Sequence, residues 1–299
     1  MTYSIVARDA ETGSLGVGVQ SGFFSAGRVV PWIEAGVGAI ASQALSDGSY
    51  GVLGLDLLRA AKPASEVLAA LLLLDPSRET RQVGIVDAAG RSAAHTGQMC
   101  VPEAGQHTGD GFTVQANMMQ RPTVPAAMAD AFQASAAAFP ERLVQALRAA
   151  ENEGGDFRGQ QSAALVVVDS RPRQPWESRV VDIRVDDHHD ALGELTHLLE
   201  LERGYRALER AIGCLEGLDL DGAARELDEA QRVLPTVIEP TLMRIGLLLV
   251  ANNTDQARNT IEAFAGDQVR LATALRRSAA AGLLPLDSRT IEALLTDIA

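Results

Sequence analysis

The tightest constraint on this chain is an alternation that starts at its third residue. Tyr3, Ile5 and Ala7 are apolar while Ser4 and Arg8 are polar, the period-two pattern of a strand with one buried face. A second such run, residues 15–21, follows Ala10-Glu11-Thr12-Gly13-Ser14, a short polar loop of the kind that joins hairpin strands. The two runs are expected to pair antiparallel. A turn centred near residues 11 and 12 then sets Thr2 opposite Ser21 or Gly22.

Everything later has to be arranged round that hairpin. Residues 36–44 are small and apolar, read as a strand buried on both faces, and end in Ser42-Gln43. Residues 49–74 read as two helices, with Leu53, Leu57 and Leu58 on one face of the first. Val67, Leu68, Leu71 and Leu72 share a face of the second, which Pro63 opens. Residues 81–87 and 91–95 predict another hairpin, 112–117 a further strand, 123–138 and 140–152 two more helices, and 163–169 and 179–185 two Val-rich strands. Hairpins alternating with helix pairs predict an α+β fold, a four-layer αββα sandwich in which each helix pair covers one of two stacked sheets.

Charge and composition narrow the function. The net charge is −13, carried as 15 basic against 22 acidic side chains in residues 1–190 and 11 against 17 in residues 191–299. Neither half offers a basic stripe for a phosphate backbone or an anionic membrane surface, so nucleic acid and membrane are not expected partners. The longest apolar stretch, 64–74, is interrupted by Ser65 and Glu66 and is too short to span a bilayer. Arg8 and Asp9 occupy what would be the apolar core of a secretory signal, so a cytoplasmic protein is expected. Cys100 and Cys214 make neither a disulfide framework nor a zinc cluster. Asp186-Asp187-His188-His189 is read as solvated charge rather than a metal site. Gly16-Val17-Gly18 lacks the third glycine and helix start of a dinucleotide loop, and no cofactor is expected.

The chemistry centres on Thr2. Removal of the initiator methionine is expected to expose it, placing a hydroxyl nucleophile and a free α-amine on one Cα. A terminal amine titrates near pH 7.7–8.0, so part of it is neutral and able to accept the hydroxyl proton. Ser21 would border this end through the hairpin. Gln43 and Asn117 each end a predicted strand with an NH₂ group and are candidate oxyanion donors. A small amide or peptide is the expected substrate; the competing expectation is a catalytically inactive binding or scaffold protein.

Several short motifs together resemble a known family. They are Met1-Thr2-Tyr3-Ser4-Ile5-Val6-Ala7, Gly16-Val17-Gly18-Val19-Gln20-Ser21, Ala35-Gly36-Val37-Gly38-Ala39 with Ser42-Gln43, and Ser49-Tyr50-Gly51. Arg81-Gln82-Val83-Gly84, Gln115-Ala116-Asn117 and the run from Gly155-Asp156-Phe157-Arg158-Gly159 through Gln160-Gln161-Ser162-Ala163-Ala164 complete the set. Residues 1–190 resemble the bacterial and archaeal family catalogued as a domain of unknown function, DUF1028, whose fold is similar to that of N-terminal-nucleophile hydrolases. The resemblance implies that Asn117 and Asp156 stand where proteasome-type relatives orient the amine and its water, with Ser21, Gln43, Arg158 and Ser162 lining the substrate. Those relatives also use a lysine. Here the single lysine, Lys62, falls between two predicted helices, so Arg28 or Arg158 would have to supply the positive field.

From residue 191 the strand signals stop and Leu, Ala, Glu and Arg recur at helical spacing. Ala223, Leu227 and Ala230 are followed 34 residues later by Ala257, Ile261 and Phe264, and Pro235 closes the first unit. That period resembles tetratricopeptide helix pairs, so residues 191–299 are expected to be an all-α domain capped by helices at 191–212, 267–281 and 287–298. The stretch from Leu275-Arg276-Arg277 to Ala281-Gly282-Leu283-Leu284-Pro285 is also similar to a C-terminal extension of longer family members catalogued as peptidoglycan-binding. A peptide or peptidoglycan fragment is the partner this implies, and a homo-oligomer is expected.

Overall fold

The computed structural model describes residues 2–172, 174–282 and 288–295. Met1, Leu283-Leu284-Pro285, Asp287 and residues 296–298, on which expectations above bear, lie outside them. The chain forms two compact units, Met1–Leu198 and Leu199–Ala299.

The first unit opens with β1 (Thr2–Arg8) and β2 (Leu15–Ser21), paired antiparallel from Tyr3–Gln20 to Arg8–Leu15. A 3₁₀ turn at Ala26–Arg28 leads to β3 (Pro31–Glu34), β4 (Gly38–Ala44), α1 (Ser49–Arg59) and α2 (Ala64–Leu74). Next come β5 (Arg81–Asp87), β6 (Ser92–Thr96), β7 (Gly105–Gly109), β8 (Phe112–Asn117), α3 (Val124–Ala134) and α4 (Phe139–Asn152). β9 (Ser162–Val168), the single turn α5 (Pro175–Ser178) and β10 (Arg179–Val185) follow. The strands form two antiparallel sheets, β10-β9-β2-β1-β8-β7 and β3-β4-β5-β6. The architecture is mixed α and β, with an all-helical C-terminal part.

Strand parity explains how these sheets meet. Val6, Val17, Val19, Ala39, Ala41 and Val86 share one buried cluster, so the inward faces of β1, β2, β4 and β5 pack on each other. The outward face of the four-stranded sheet, through Ile40, Val83 and Ile85, packs on Tyr50, Leu58, Val67, Leu68 and Leu71 of α1 and α2. On the outward face of the six-stranded sheet, Gly16 and Gly18 sit against Leu143 and Leu147 of α4.

Two strands went unpredicted, β3 and β7, and both are edges. β3 begins with a proline and stays half-buried, and Gln106, His107 and Thr108 of β7 are exposed, so neither carries an apolar alternation. The β4 signal also started early: Gly36, at φ 71°, belongs to the turn. A third difference concerns α1. Leu53 is exposed, whereas Leu58 is buried and Leu57 packs half-buried beside it, and Tyr50, Gly51 and Gly54 complete the buried face. Glycine carries no hydropathy signal, yet it is what lets α1 approach Trp32 and Ile40, because a Cβ on either glycine would overlap those side chains.

In the second unit, α6 (Ala191–Glu216) starts before the unit boundary, and α7 (Leu220–Val233), α8 (Ile238–Val250), α9 (Thr254–Glu262), α10 (Gln268–Ala280) and α11 (Ser288–Leu295) follow. The 34-residue spacing reaches the backbone. Asp219 and Asn253 cap α7 and α9 by accepting from Gly222 N and Gln256 N, and the residue before each cap, Leu218 or Asn252, is left-handed at φ 60° or 54°. Ala223, Leu227, Ala230, Ala257, Ile261 and Phe264 are all buried.

Replacing glycine by alanine inside a helix ordinarily stabilises it by about 1 kcal/mol. Gly51→Ala should do the reverse, losing about 1–3 kcal/mol to overlap with Trp32. Urea unfolding measures it, and a midpoint at or above the native value would contradict the packing of α1 on β3.

Candidate functional site

Thr2, Ser4 and Val6 alternate along β1 onto the inward face, so that face turns from apolar at Val6 to polar at Thr2. The strands beside and opposite it change in step. β8 contributes Thr113, Gln115 and Asn117, and β4 and β5 contribute Gln43 and Gln82; all five are buried. The result is a polar cluster at one end of the space between the sheets.

Its hydrogen bonds account for nearly every amide. The Thr2 carbonyl accepts from Gln43 Nε2 at 3.1 Å and from Asn117 Nδ2 at 3.3 Å. Both amides also donate to Gln82 Oε1, at 2.7 and 2.8 Å, and Gln43 Nε2 lies 3.2 Å from the Gln115 carbonyl. Gln82 Nε2 in turn has Thr96 Oγ1, Gly105 O and Ala116 O within 2.9–3.1 Å. Gln115 Nε2 donates to Ser4 Oγ at 3.0 Å, at a depth where a Cβ on Gly84 would overlap the Gln115 amide.

The Thr2 side chain points elsewhere. Its Oγ1 lies 3.0 Å from Ser21 Oγ, joining the two hydroxyls across the hairpin as the turn register requires. One residue on, Gly22 N donates to Asp156 Oδ2 at 2.9 Å. Asp156 is fully buried at its side chain and also accepts from Arg158 N at 2.9 Å and from Arg158 Nη2 at 2.9 Å. Thr2, Ser21, Gln43, Asn117, Asp156 and Arg158 are thus brought to one end of the unit. On the other face of β1, Tyr3 Oη donates to Glu151 Oε2 at 2.7 Å. Burial, followed by the charge and hydrogen bond of Glu151 and the charge of Asp156, pushes the phenol well above its ordinary range, so it remains a donor.

Of three other expected residues, Ser162 lies opposite Ser21 across β9 and β2 but turns its side chain to another use. The Ser162 hydroxyl donates to Phe23 O at 2.6 Å and accepts from Ala26 N at 3.0 Å, which commits it to the turn after β2. Arg28 ends that turn. Lys62 is exposed, 3.8 Å from Glu66 at the start of α2. Asp186 and Asp187 accept from Ser25 Oγ and Gln161 Nε2, and the His188 and His189 rings lie 4.5 Å apart.

Gln82 and Gln115 escaped notice as site residues, although the sequence held their signal: a glutamine at inward parity in a strand whose other face is apolar. A cavity of about 310 Å³ beside Asn117, walled in part by Cys100 and Met118, left no such trace, because it is built from a loop.

Residues 2–195 match the model of a family of unknown function, DUF1028. The chain belongs to the DUF1028 family. A crystal structure from Silicibacter pomeroyi, of protein SPO2555, carries the same family assignment. It is 32% identical over 67% of this chain and 88% of that one, with a TM-score of 0.60. A search of the curated proteins finds no match. The DUF1028 match spans all of the buried amide cluster and stops within α6. No described helix of the chain is long and apolar enough to cross a membrane.

Among the described residues, Gln82 is the one side chain bonded to both Gln43 and Asn117. Gln82→Glu keeps an acceptor for them but turns a carboxylate oxygen toward Thr96 Oγ1, Gly105 O and Ala116 O. A buried carboxyl of this kind has a folded-state pKa above its unfolded value of about 4.3, so the unfolded state ionises first and stability falls as pH rises above that value. The variant should lose about 2–4 kcal/mol at pH 8 and recover part of it at pH 5; equal losses at both pH values would contradict the donor role of Gln82.

Proposed function

We propose that the DUF1028 unit is an N-terminal-nucleophile amide hydrolase whose nucleophile is Thr2, freed by removal of Met1. The observation that carries this is the Thr2–Ser21 hydroxyl pair at the polar end of two facing sheets, 3.0 Å apart, with the Thr2 carbonyl held by two buried amides. In this reading the helix pairs and sheets form the four-layer αββα sandwich of such hydrolases.

Thr2 Oγ attacks the amide carbonyl carbon while its proton passes to the neutral α-amine, directly or through one water. The ammonium returns that proton to the leaving nitrogen as the C–N bond breaks, leaving a threonyl ester. Water, deprotonated by the same amine, hydrolyses the ester and restores the hydroxyl. Gln43 and Asn117 act here as positioning residues rather than oxyanion donors, since their hydrogens are spent on Thr2 O and Gln82. Ser21 holds the nucleophile. Arg158 stands for the lysine of proteasome-type relatives, and Asp156, which accepts from both Arg158 and the Gly22 amide, orients the terminal amine.

The substrate in this proposal is a small neutral amide or peptide handled in the cytoplasm. The second unit is a tetratricopeptide-like module that recognises a peptide or peptidoglycan fragment, and the chain self-associates. The 34-residue recurrence of caps and left-handed turns supports the repeat assignment.

Intact-mass measurement should find Met1 removed, and a β-lactone should add one equivalent to the wild type, none to Thr2→Ala, and a slower equivalent to Thr2→Ser. Turnover of a labelled amide should fall at least about 10³-fold in Thr2→Ala and about 10²-fold in Asn117→Ala, through loosened positioning. Retained Met1, or labelling that survives Thr2→Ala, leaves a binding protein without this chemistry.

A further inference from the structure

The cavity of about 310 Å³ lies against Asn117, the residue paired with Thr2 across β1 and β8. Besides Asn117, its walls are Ala44, Leu45, Thr80, Met99, Cys100, Val101 and Met118, and among the described residues no carboxylate or basic side chain lines it. Leu45, Met99 and Val101 are 64%, 70% and 47% exposed. Large apolar side chains gathered at the mouth of a cavity mark a binding surface rather than a folding core.

The walls are braced. Arg81 Nη1 donates to Leu45 O at 2.5 Å, Leu45 N to Thr80 O at 3.2 Å, Cys100 Sγ to Arg81 O at 3.3 Å and Met118 N to Val101 O at 3.1 Å. Arg81 is itself held by Asp75 at 2.8 Å. Ala44, which ends β4, and Met118, which follows β8, both take left-handed backbone at the cavity, φ 66° and 60°. Non-glycine residues seldom adopt that conformation, and it gathers at ligand sites. The cavity is therefore preformed, neutral and apolar, with one polar end facing the strand that carries the nucleophile.

We propose that this cavity binds the acyl chain of the substrate, so that the hydrolase acts on amides of neutral, apolar acyl groups. The proposal rests on Thr2 as nucleophile. Of the two groups on the carbonyl carbon, the acyl chain stays bonded to Thr2 Oγ as the threonyl ester while the amine departs, so the walled cavity beside Asn117 is assigned to the group that must be held through both steps. With no charged side chain among its described walls, the cavity disfavours a carboxylate or ammonium held inside it, which would lose its hydration without gaining a partner.

The test uses the full chain with Thr2→Ala to prevent turnover, titrated with butanamide, hexanamide and octanamide. Affinity should rise about fourfold for each added methylene until the cavity is filled. Leu45→Asp, at an exposed position, should weaken hexanamide at least tenfold with an unchanged circular dichroism spectrum, while Leu45→Met should bind normally. With Cys214→Ser added, hexanamide should also slow alkylation of Cys100. Affinity independent of chain length, or equal binding of a six-carbon chain ending in carboxylate, overturns the proposal even if the β-lactone labels Thr2. Chain-length-dependent binding without labelling upholds the apolar cavity and removes only the hydrolytic step.

Discussion

One carbonyl, that of Thr2, organises the end of the molecule where the chemistry is proposed. It accepts from Gln43 in one sheet and Asn117 in the other, and Gln82 ties those two donors to each other. Each of these amides is buried, so any one left without its partner would cost about 1–3 kcal/mol. A polar group buried in low dielectric is stabilising only when the whole set is complete. The first strand is thereby held at its terminal residue, where a chain would otherwise fray, and the hydroxyl is aimed separately, by its bond to Ser21.

The same inward face serves two purposes because β1 changes character along one parity. Val6 joins the aliphatic cluster, Ser4 receives the Gln115 amide, and Thr2 receives two more. A one-residue slip of β1 would send Tyr3 and Ile5 inward and break both halves together. Tyr3 is guarded against that from the opposite side, where its hydroxyl donates to Glu151. Gly84 completes the arrangement: the two sheets come as near as the Gln115 amide demands only where a side chain is missing.

Much of this was legible beforehand. The hairpin register follows from loop length, so the Thr2–Ser21 contact could be anticipated from the chain alone. Strands with a buried face announced themselves by parity, whereas β3 and β7, at the edges, had no such face to report. Gln43 and Asn117 were legible as residues but not in what they do. A strand-end NH₂ group looks available in a sequence; in the structure its hydrogens are already given to Thr2 and Gln82, and that depends on Gln82 lying in another hairpin. Ser162 shows the same limit, since its hydroxyl is claimed by a turn that no local pattern specifies. Hydropathy found Leu58 and Leu57 of the packed face of α1 but not the rest of it, because two of the four buried positions are glycine.

In the helical unit, the recurring left-handed residue and the cap that follows it, Leu218-Asp219 and Asn252-Asn253, fix how one helix hands over to the next. A junction specified by two adjacent residues is portable: it reproduces the same change of direction wherever that pair is followed by a helix with the same buried spacing. In the repeat reading proposed for this unit, a chain can gain or lose material in whole lengths of 34 residues while each surviving junction keeps its geometry. The unit is therefore discrete in size, and evolution can alter its reach without reopening the question of how its helices turn.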